Sequence, residues 1–546
     1  MSSVRPITEV ARDLGIGEEH LVPYGSDKAK VRLAAAANGR PRGRLVLVSA
    51  ITPTSAGEGK TTTSIGLAQG LAKIGESVCL ALREPSLGPT FGKKGGATGG
   101  GRSIVVPTVD INLHFTGDFH AITSANNLLA AMLDNHVYHH KSPKVDPRRV
   151  LWRRVIDLND RALRHTIVGL GGKLEGVPRE TGFDITPASE VMAILCLAEG
   201  EADLRARLGR ILVGFTYDDE PVVAADLKAV GAMMVLLRDA LMPNLVQTIE
   251  GVPAFIHGGP FANIAHGCNS VLATKMALAH ADWVITEAGF GFDLGAEKFF
   301  DIKCQSADLD AAAVVLVATV RALKRHGGVP QKKLGDESPQ AVAKGLPNLH
   351  KHIQNIQAFG EIPIVALNRF STDTEAEVDV VRRACAEAGV PFAVSDHFER
   401  GGEGAMDLAR TLCEHCEQSP SRFRPLYDWS EPIPTKIEKV ARTMYGASEV
   451  VLSKLAETQI KRLTELGYGG LPVCIAKAPT SLTDDPRIAG RPEGFDVTVR
   501  SMELAAGAGF VIPLLGDVMR MPGLPLAPQA EVMDLVDGET VGLMGA

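Results

Sequence analysis

Short apolar runs that stop at glycine, asparagine, serine or charged residues alternate along the chain with longer stretches whose apolar positions recur every three to four residues. A short apolar run closed by turn formers reads as a strand buried on both faces, and the longer pattern as an amphipathic helix. The predicted strands are the runs at 45–51, 78–82, 254–257, 283–286, 314–319, 362–367 and 392–395. Their alternation with helical stretches predicts an α/β fold with a mainly parallel sheet. Polar and glycine-rich residues cluster just past the ends of these runs, and ligands of open parallel sheets bind beyond the carboxyl ends of the strands. A polar loop at 331–338 and a proline- and charge-rich stretch at 419–434 interrupt the pattern, which predicts domains at 1–345, 346–440 and 441–546.

Composition narrows the classes. With 45% hydrophobic and 22% charged residues, the 546-residue chain is neither disordered nor fibrous. Its 56 glycines, about 10% against an average of roughly 7%, imply many tight turns and close backbone approaches. Against 57 Lys+Arg stand 64 Asp+Glu, so a predominantly electrostatic grip on nucleic acid or an anionic membrane is not expected. No stretch reaches the ~18 apolar residues of a membrane-spanning helix and no apolar leader follows Met1, which predicts a soluble cytoplasmic protein. The 8 cysteines lie mostly in apolar runs and are expected as reduced, buried thiols. Cys413 and Cys416 have no second pair to complete a zinc site.

One segment carries a specific chemistry. Thr52-Pro53-Thr54-Ser55-Ala56-Gly57-Glu58-Gly59-Lys60-Thr61-Thr62-Thr63 lies between the first predicted strand and a helical pattern bearing Ile65, Ala68, Leu71 and Ala72 on one face. Gly57 and Gly59 let backbone N–H groups close round phosphate oxygens, and the helix N-terminus adds positive potential. Lys60 can reach the outer phosphates and Thr61 can ligate magnesium. The strict phosphate-loop pattern wants glycine where Thr54 stands, so the lead-in is a variant one. A plain glycine loop would not need a lysine and three threonines opening the helix.

Further polar groups follow the second strand. Arg83 and Glu84 fall at the same predicted sheet edge; the arginine suits a small carboxylate or a transferring phosphoryl group, or pairs with a surface acid. The glycine-rich stretch 92–101 is either an anion cradle or a lid. Asp110, His114, Asp118 and His120 fit metal, proton or cation chemistry, and equally core or helix-capping roles. His136, His139 and His140 read as surface residues beside Lys141 and Pro143.

Taken in order, these motifs resemble the formate-tetrahydrofolate ligase family. The similarity covers almost the whole chain: the loop at 52–63, REPSLGP at 83–89, KGGATGGG at 94–101, NLHFTGDFHAI at 112–122, HGGPFANIAHGCN at 257–269, TEAGFG at 286–291, VATVRALK at 317–324 and MPGLP at 521–525. The resemblance implies a P-loop NTPase-like main domain with two smaller α/β domains. It implies an ATP-dependent ligase in which formate attacks the γ-phosphorus to give formyl phosphate, and N10 of tetrahydrofolate then attacks the formyl carbon. Carried over residue by residue, Thr54, Ser55, Ala56, Gly57, Glu58, Gly59, Lys60 and Thr61 hold ATP, while Lys60 and Arg83 stabilise the phosphoryl charge. Phe370 and Phe398, each just past a predicted strand, would sandwich the folate, with Glu84 in the adjacent folate or cation surroundings. Magnesium with the nucleotide, a potassium or ammonium ion, a homotetramer and a single activity per chain are also implied.

The chain departs from the family pattern at Phe398, where tryptophan is usual, at Phe292 in place of a small residue, at Arg102, and at Ala478-Pro479-Thr480. None of these touches the phosphate loop, so ATP use is the firmer expectation and the acceptor the looser one. The competing readings are a P-loop ligase activating another acid and a nucleotide-switch ATPase that turns over ATP without formate.

Overall fold

The computed structural model describes residues 4–38, 43–54, 57–94, 96–516 and 518–543. The strands that build the site are β1 (Leu21–Pro23), β2 (Ala29–Val31), β3 (Arg44–Ala50), β4 (Val78–Leu82), β5 (Ser103–Val106), β6 (Asn244–Thr248), β7 (Pro253–Ile256), β8 (Trp283–Glu287), β9 (Ala313–Ala318), β10 (Pro363–Asn368) and β11 (Phe392–Ser395). They belong to a 12-stranded sheet with the order β1-β2-β6-β7-β4-β8-β3-β9-β10-β11, while β5 pairs with β6 off this path. From β7 to β11 every neighbouring pair is parallel. The sheet is therefore the mainly parallel α/β one expected, with an antiparallel edge of β1, β2 and β6.

Alternation along the strands shows why the sheet is buried on both sides. Leu45 and Leu47 of β3 join one core cluster with Val314, Leu316, Val365 and Leu367, whereas Val46, Val48 and Ala50 join another with Val315, Val317, Ile364 and Ala366. Each of the valine, leucine and isoleucine side chains contributes about 1.5–3 kcal/mol on burial, so strands covered on both faces read as continuous apolar runs. The predicted runs coincide with observed strands to within about one residue, the usual precision at element ends. Sequence reading missed β6 because Asn244, Gln247 and Thr248, all buried, break its apolar pattern.

Helices α1 (Lys60–Lys73), α3 (Val320–His326) and α4 (Pro339–Ala358) pack on this sheet, and α2 (Asp118–Tyr138), whose apolar residues belong to a separate core cluster, is tied to it by Asp118 on Lys30 of β2. α1 connects β3 to β4, although β8 lies between those two strands. Chain entry at β3 followed by strands to either side leaves a crevice beyond the carboxyl ends of β4, β8 and β3. A smaller sheet, β12 (Glu449–Leu452), β13 (Asp496–Ala505) and β14 (Phe510–Leu515), forms the C-terminal part. A buried ion pair joins the two parts, Lys477 Nζ to Asp293 Oδ2 at 2.9 Å. No helix among the described residues is long and apolar enough to cross a membrane.

Candidate active site

The loop after β3 folds around its own glutamate. Glu58 is buried, and its carboxylate accepts the Thr54 N–H at 2.8 Å and the Thr319 hydroxyl at 2.6 Å. Gly57 donates its N–H to Thr54 O at 3.1 Å. The Glu58 side chain is thus a staple inside the loop, and its carbonyl accepts Asn368 Nδ2 at 3.1 Å from the end of β10. Gly59 has φ +74°, and a Cβ there would stand 2.5 Å from Asn368 Nδ2, so only glycine fits. Ser55 and Ala56, expected to hold phosphate, lie outside the described residues. Lys60 opens α1, half-buried, and Thr63 donates its hydroxyl to Gly59 O at 2.9 Å. The N-terminus of α1 starts at the carboxyl end of β3, beside the crevice, where a helix end adds positive potential.

A carboxylate that sequence reading passed over links the next two groups. Thr61 Oγ1 donates to Glu287 Oε2 at 2.8 Å, and Arg83 Nη2 donates to Glu287 Oε1 at 3.3 Å. β8 pairs with β3 on one side and β4 on the other, so Glu287, its last residue, stands between the phosphate loop and Arg83. Glu287 lies within the quoted TEAGFG motif, and the signal that marks it is a charged residue closing an apolar strand among parallel neighbours. Arg83 Nε and Glu84 Oε2 are buried without hydrogen-bond partners among the described residues. Burial holds the Glu84 carboxyl well above the usual carboxylate range; the negative charge of Asp118 adds to this and Lys30 opposes it.

The acidic and histidine cluster separates in space. Asp118 is paired with Lys30 at 2.6 Å in the interior, and Asn112 accepts the Ala97 N–H at 2.8 Å, anchoring the glycine run. His114 and His120 are exposed, and no group of metal-binding side chains forms among the described residues. His136, expected at the surface, is buried with Nε2 2.7 Å from Pro143 O, while His139 and His140 are exposed. Cys413 and Cys416 are free and half-buried, their thiols pushed up to about 11 and about 12 by burial.

The two aromatic residues sit at neighbouring strand ends. β10 and β11 pair with Asn368 opposite Ser395, so Phe370 and Phe398 follow adjacent strands. Phe370 donates its N–H to Asp373 at 2.9 Å, and the Arg321 guanidinium covers its ring at 4.3 Å. Phe398 is 48% exposed, an unusual position for a large ring. Its carbonyl accepts the Arg102 N–H at 2.9 Å, and a Cβ on Gly100 would come within 3.0 Å of its ring. The glycine run thus packs under the phenylalanine. Phe292 is fully buried, 5.9 Å from Phe359 and 6.1 Å from Phe300 between ring centroids, so it fills core. Ala478-Pro479-Thr480 is half-buried just after Lys477.

The arrangement brings the glycine loop before α1, Arg83, the bridging carboxylate of Glu287 and an exposed aromatic ring to strand ends of one sheet. The family described as "Formate--tetrahydrofolate ligase" matches residues 1–544. Two curated relatives bear that name, from Cereibacter sphaeroides strains ATCC 17029 / ATH 2.4.9 and KD131 / KCTC 12085. Each is 56% identical over 542 residues, covering 99% of this chain and 97% of the relative.

Proposed function

The chain belongs to the formate–tetrahydrofolate ligase family, and from that premise we propose that its ATP-dependent joining of formate to tetrahydrofolate runs through formyl phosphate held beyond β3, β4 and β8. The observation that carries the reading is the convergence of Lys60, Thr61 and Arg83 on that edge, with Glu287 between them. Formate is a weak electrophile because its charge is spread over two oxygens. A formate oxygen attacks the γ-phosphorus, the bond to the β-phosphate oxygen breaks, and ADP leaves. N10 of tetrahydrofolate then attacks the formyl carbon, phosphate departs, and the amine proton is lost. The protein's part is positioning and charge stabilisation.

Residues 54–61 supply the phosphate cradle, and Lys60 neutralises the outer phosphates. The planar fork of Arg83 suits the carboxylate and then the acyl phosphate, and its unpartnered Nε leaves a donor for that anion. Thr61 Oγ1 and Glu287 Oε2 are hard oxygen donors of the kind magnesium takes with water, so they fit a nucleotide-bound magnesium. That ion supplies neutralisation of phosphate charge. Phe370 and Phe398 clamp the pterin, and the buried, unpartnered Glu84 Oε2 suits its polar edge or a potassium or ammonium ion. Residues 1–345 form a P-loop NTPase-like domain for ATP and formyl phosphate, 346–440 contribute the aromatics, and 441–546 form the C-terminal unit. The free cysteines support a reducing, cytoplasmic setting, and the assembly is a homotetramer.

The test incubates purified protein with ATP, magnesium, potassium, formate and tetrahydrofolate, then acidifies and records the methenyl product. Signal that vanishes on omission of any substrate is expected. ATP hydrolysis indifferent to formate would overturn the reading.

A further inference from the structure

Glu287 offers both of its oxygens to groups with different tasks. Oε2 accepts the Thr61 hydroxyl at 2.8 Å and Oε1 accepts Arg83 Nη2 at 3.3 Å. The carboxylate is nearly buried, at 5% side-chain exposure, and Arg83 is only 24% exposed, so their charges are less screened than those of a surface pair. Yet 3.3 Å is long beside the 2.7–2.9 Å typical of a charge-assisted hydrogen bond, a loose hold that a competing anion can displace. The unpartnered Nε shows that Arg83 is not saturated. Glu287 pairs in register with Val48, two residues before the end of β3, while its neighbour Thr286 pairs with Ala81 of β4. One rigid strand end therefore fixes the carboxylate against both the nucleotide loop and Arg83.

We propose that Glu287 is a positioning residue that couples the two substrate sites, masking Arg83 until nucleotide with its magnesium is bound and freeing its positive charge for formate afterwards. The inference rests on the reading of Thr61 and Arg83 given above. In the empty enzyme the negative charge of Glu287 offsets that of Arg83, and formate meets little net attraction. Thr61 and Glu287 Oε2 would hold a nucleotide-bound magnesium ion, whose positive charge would more than offset the single hydroxyl hydrogen bond lost. The carboxylate is drawn towards the loop, and the Arg83 fork turns its donors to the small anion. Formate is thus held where a γ-phosphoryl group is present to receive it, and by linkage formate tightens nucleotide binding by the same factor.

Equilibrium dialysis of radiolabelled formate, with and without magnesium and a non-hydrolysable ATP analogue, tests this on the whole protein. Wild type is expected to bind formate at least about fivefold more tightly with the analogue present. Glu287→Gln keeps shape and loses charge; it should bind formate more tightly than wild type without nucleotide and gain less than about twofold with it. Thr61→Val should also lose the gain but keep the weak nucleotide-free binding, and Thr61→Ser should restore wild-type behaviour. This opposite pattern separates coupling from mere damage to folding. Wild-type coupling in Glu287→Gln, or equal losses in both states for Glu287→Gln and Thr61→Val, overturns the proposal. Arg83→Gln locates the fault: unchanged formate binding there overturns the assignment of Arg83 itself, whereas weakened binding beside intact coupling in Glu287→Gln overturns only the role of Glu287.

Discussion

At the scale of single residues, the site combines side chains whose settings differ sharply. Glu58, Glu84 and Glu287 are all nearly buried, but the first is stapled inside the loop, the second has an oxygen without a hydrogen-bond partner, and the third accepts from both the Thr61 hydroxyl and the Arg83 guanidinium. Residue type alone does not separate these roles, because the environment of a carboxylate is set by what other elements bring to it. Phe398, proposed above to stack on the folate, keeps its large apolar ring 48% exposed just past β11. Its replacement of tryptophan reduces stacking area. Phe398→Trp is expected to lower the KM for tetrahydrofolate roughly three- to tenfold, from about 0.5–1.5 kcal/mol of ring stacking, and Phe398→Ala to raise it by a similar factor. Steady-state kinetics with varied tetrahydrofolate checks both, and equal KM values for the three proteins would remove Phe398 from the folate site.

At the scale of elements, the loop after β3 holds its shape through a contact with the end of the adjacent strand β9, the Thr319 hydroxyl on Glu58. Removing the acceptor leaves the buried Thr319 hydroxyl and the Thr54 N–H without Glu58, at a cost of about 1–3 kcal/mol. Glu58→Ala should therefore weaken ATP binding several-fold in fluorescence titrations while leaving formate and folate contacts untouched. A second element joint is pH-sensitive. Glu190, at the start of the helix Glu190–Leu197, accepts the Gly507 N–H at 2.6 Å and the Ala508 N–H at 3.3 Å from the turn between β13 and β14. Burial pushes its carboxyl up to about 7, against an ordinary value near 4.5. A raised carboxyl stabilises the fold fully below the ordinary value, and that contribution is lost as the pH rises through about 7. Glu190→Gln, which stays neutral, should gain thermal stability relative to wild type on going from about pH 5 to about pH 8. Melting midpoints that move in parallel for the two proteins would contradict this.

At the scale of the whole molecule, the C-terminal part is tied to the main sheet by charge as well as by packing. Lys477 and Asp293 are at 0% and 1% exposure, and Lys477 also donates to Ala478 O at 3.1 Å. Lys477→Met strands a buried carboxylate and is expected to cost about 3–5 kcal/mol, read as a lower urea midpoint. Adding Asp293→Leu should recover most of that loss, because removing both charges abolishes the desolvation penalty. A double variant no more stable than the single one would show that the pair is not the tie between the two parts.

Local pattern was enough for the parallel strands, for the glycine loop that opens α1 with Lys60 and Thr61, and for the placement of Arg83 past β4 and of the two phenylalanines past β10 and β11, because each depends on neighbours within a few positions of the chain. Burial on both faces writes itself as a continuous apolar run, and a glycine loop before a helix announces anion binding wherever the helix ends up. Three things belong to the tertiary structure alone. The insertion of β8 between β3 and β4 brings Glu287 to Thr61 and Arg83 across 226 and 204 positions of sequence. The polar strand β6 is a strand because its partners satisfy Asn244 and its neighbours, not because of its own pattern. The state of Glu84 follows from burial beside Asp118 and Lys30, which lie 34 positions after it and 54 before it in the chain. Electrostatics and strand order act through space, and distance through space between remote residues is the quantity that a one-dimensional pattern does not contain.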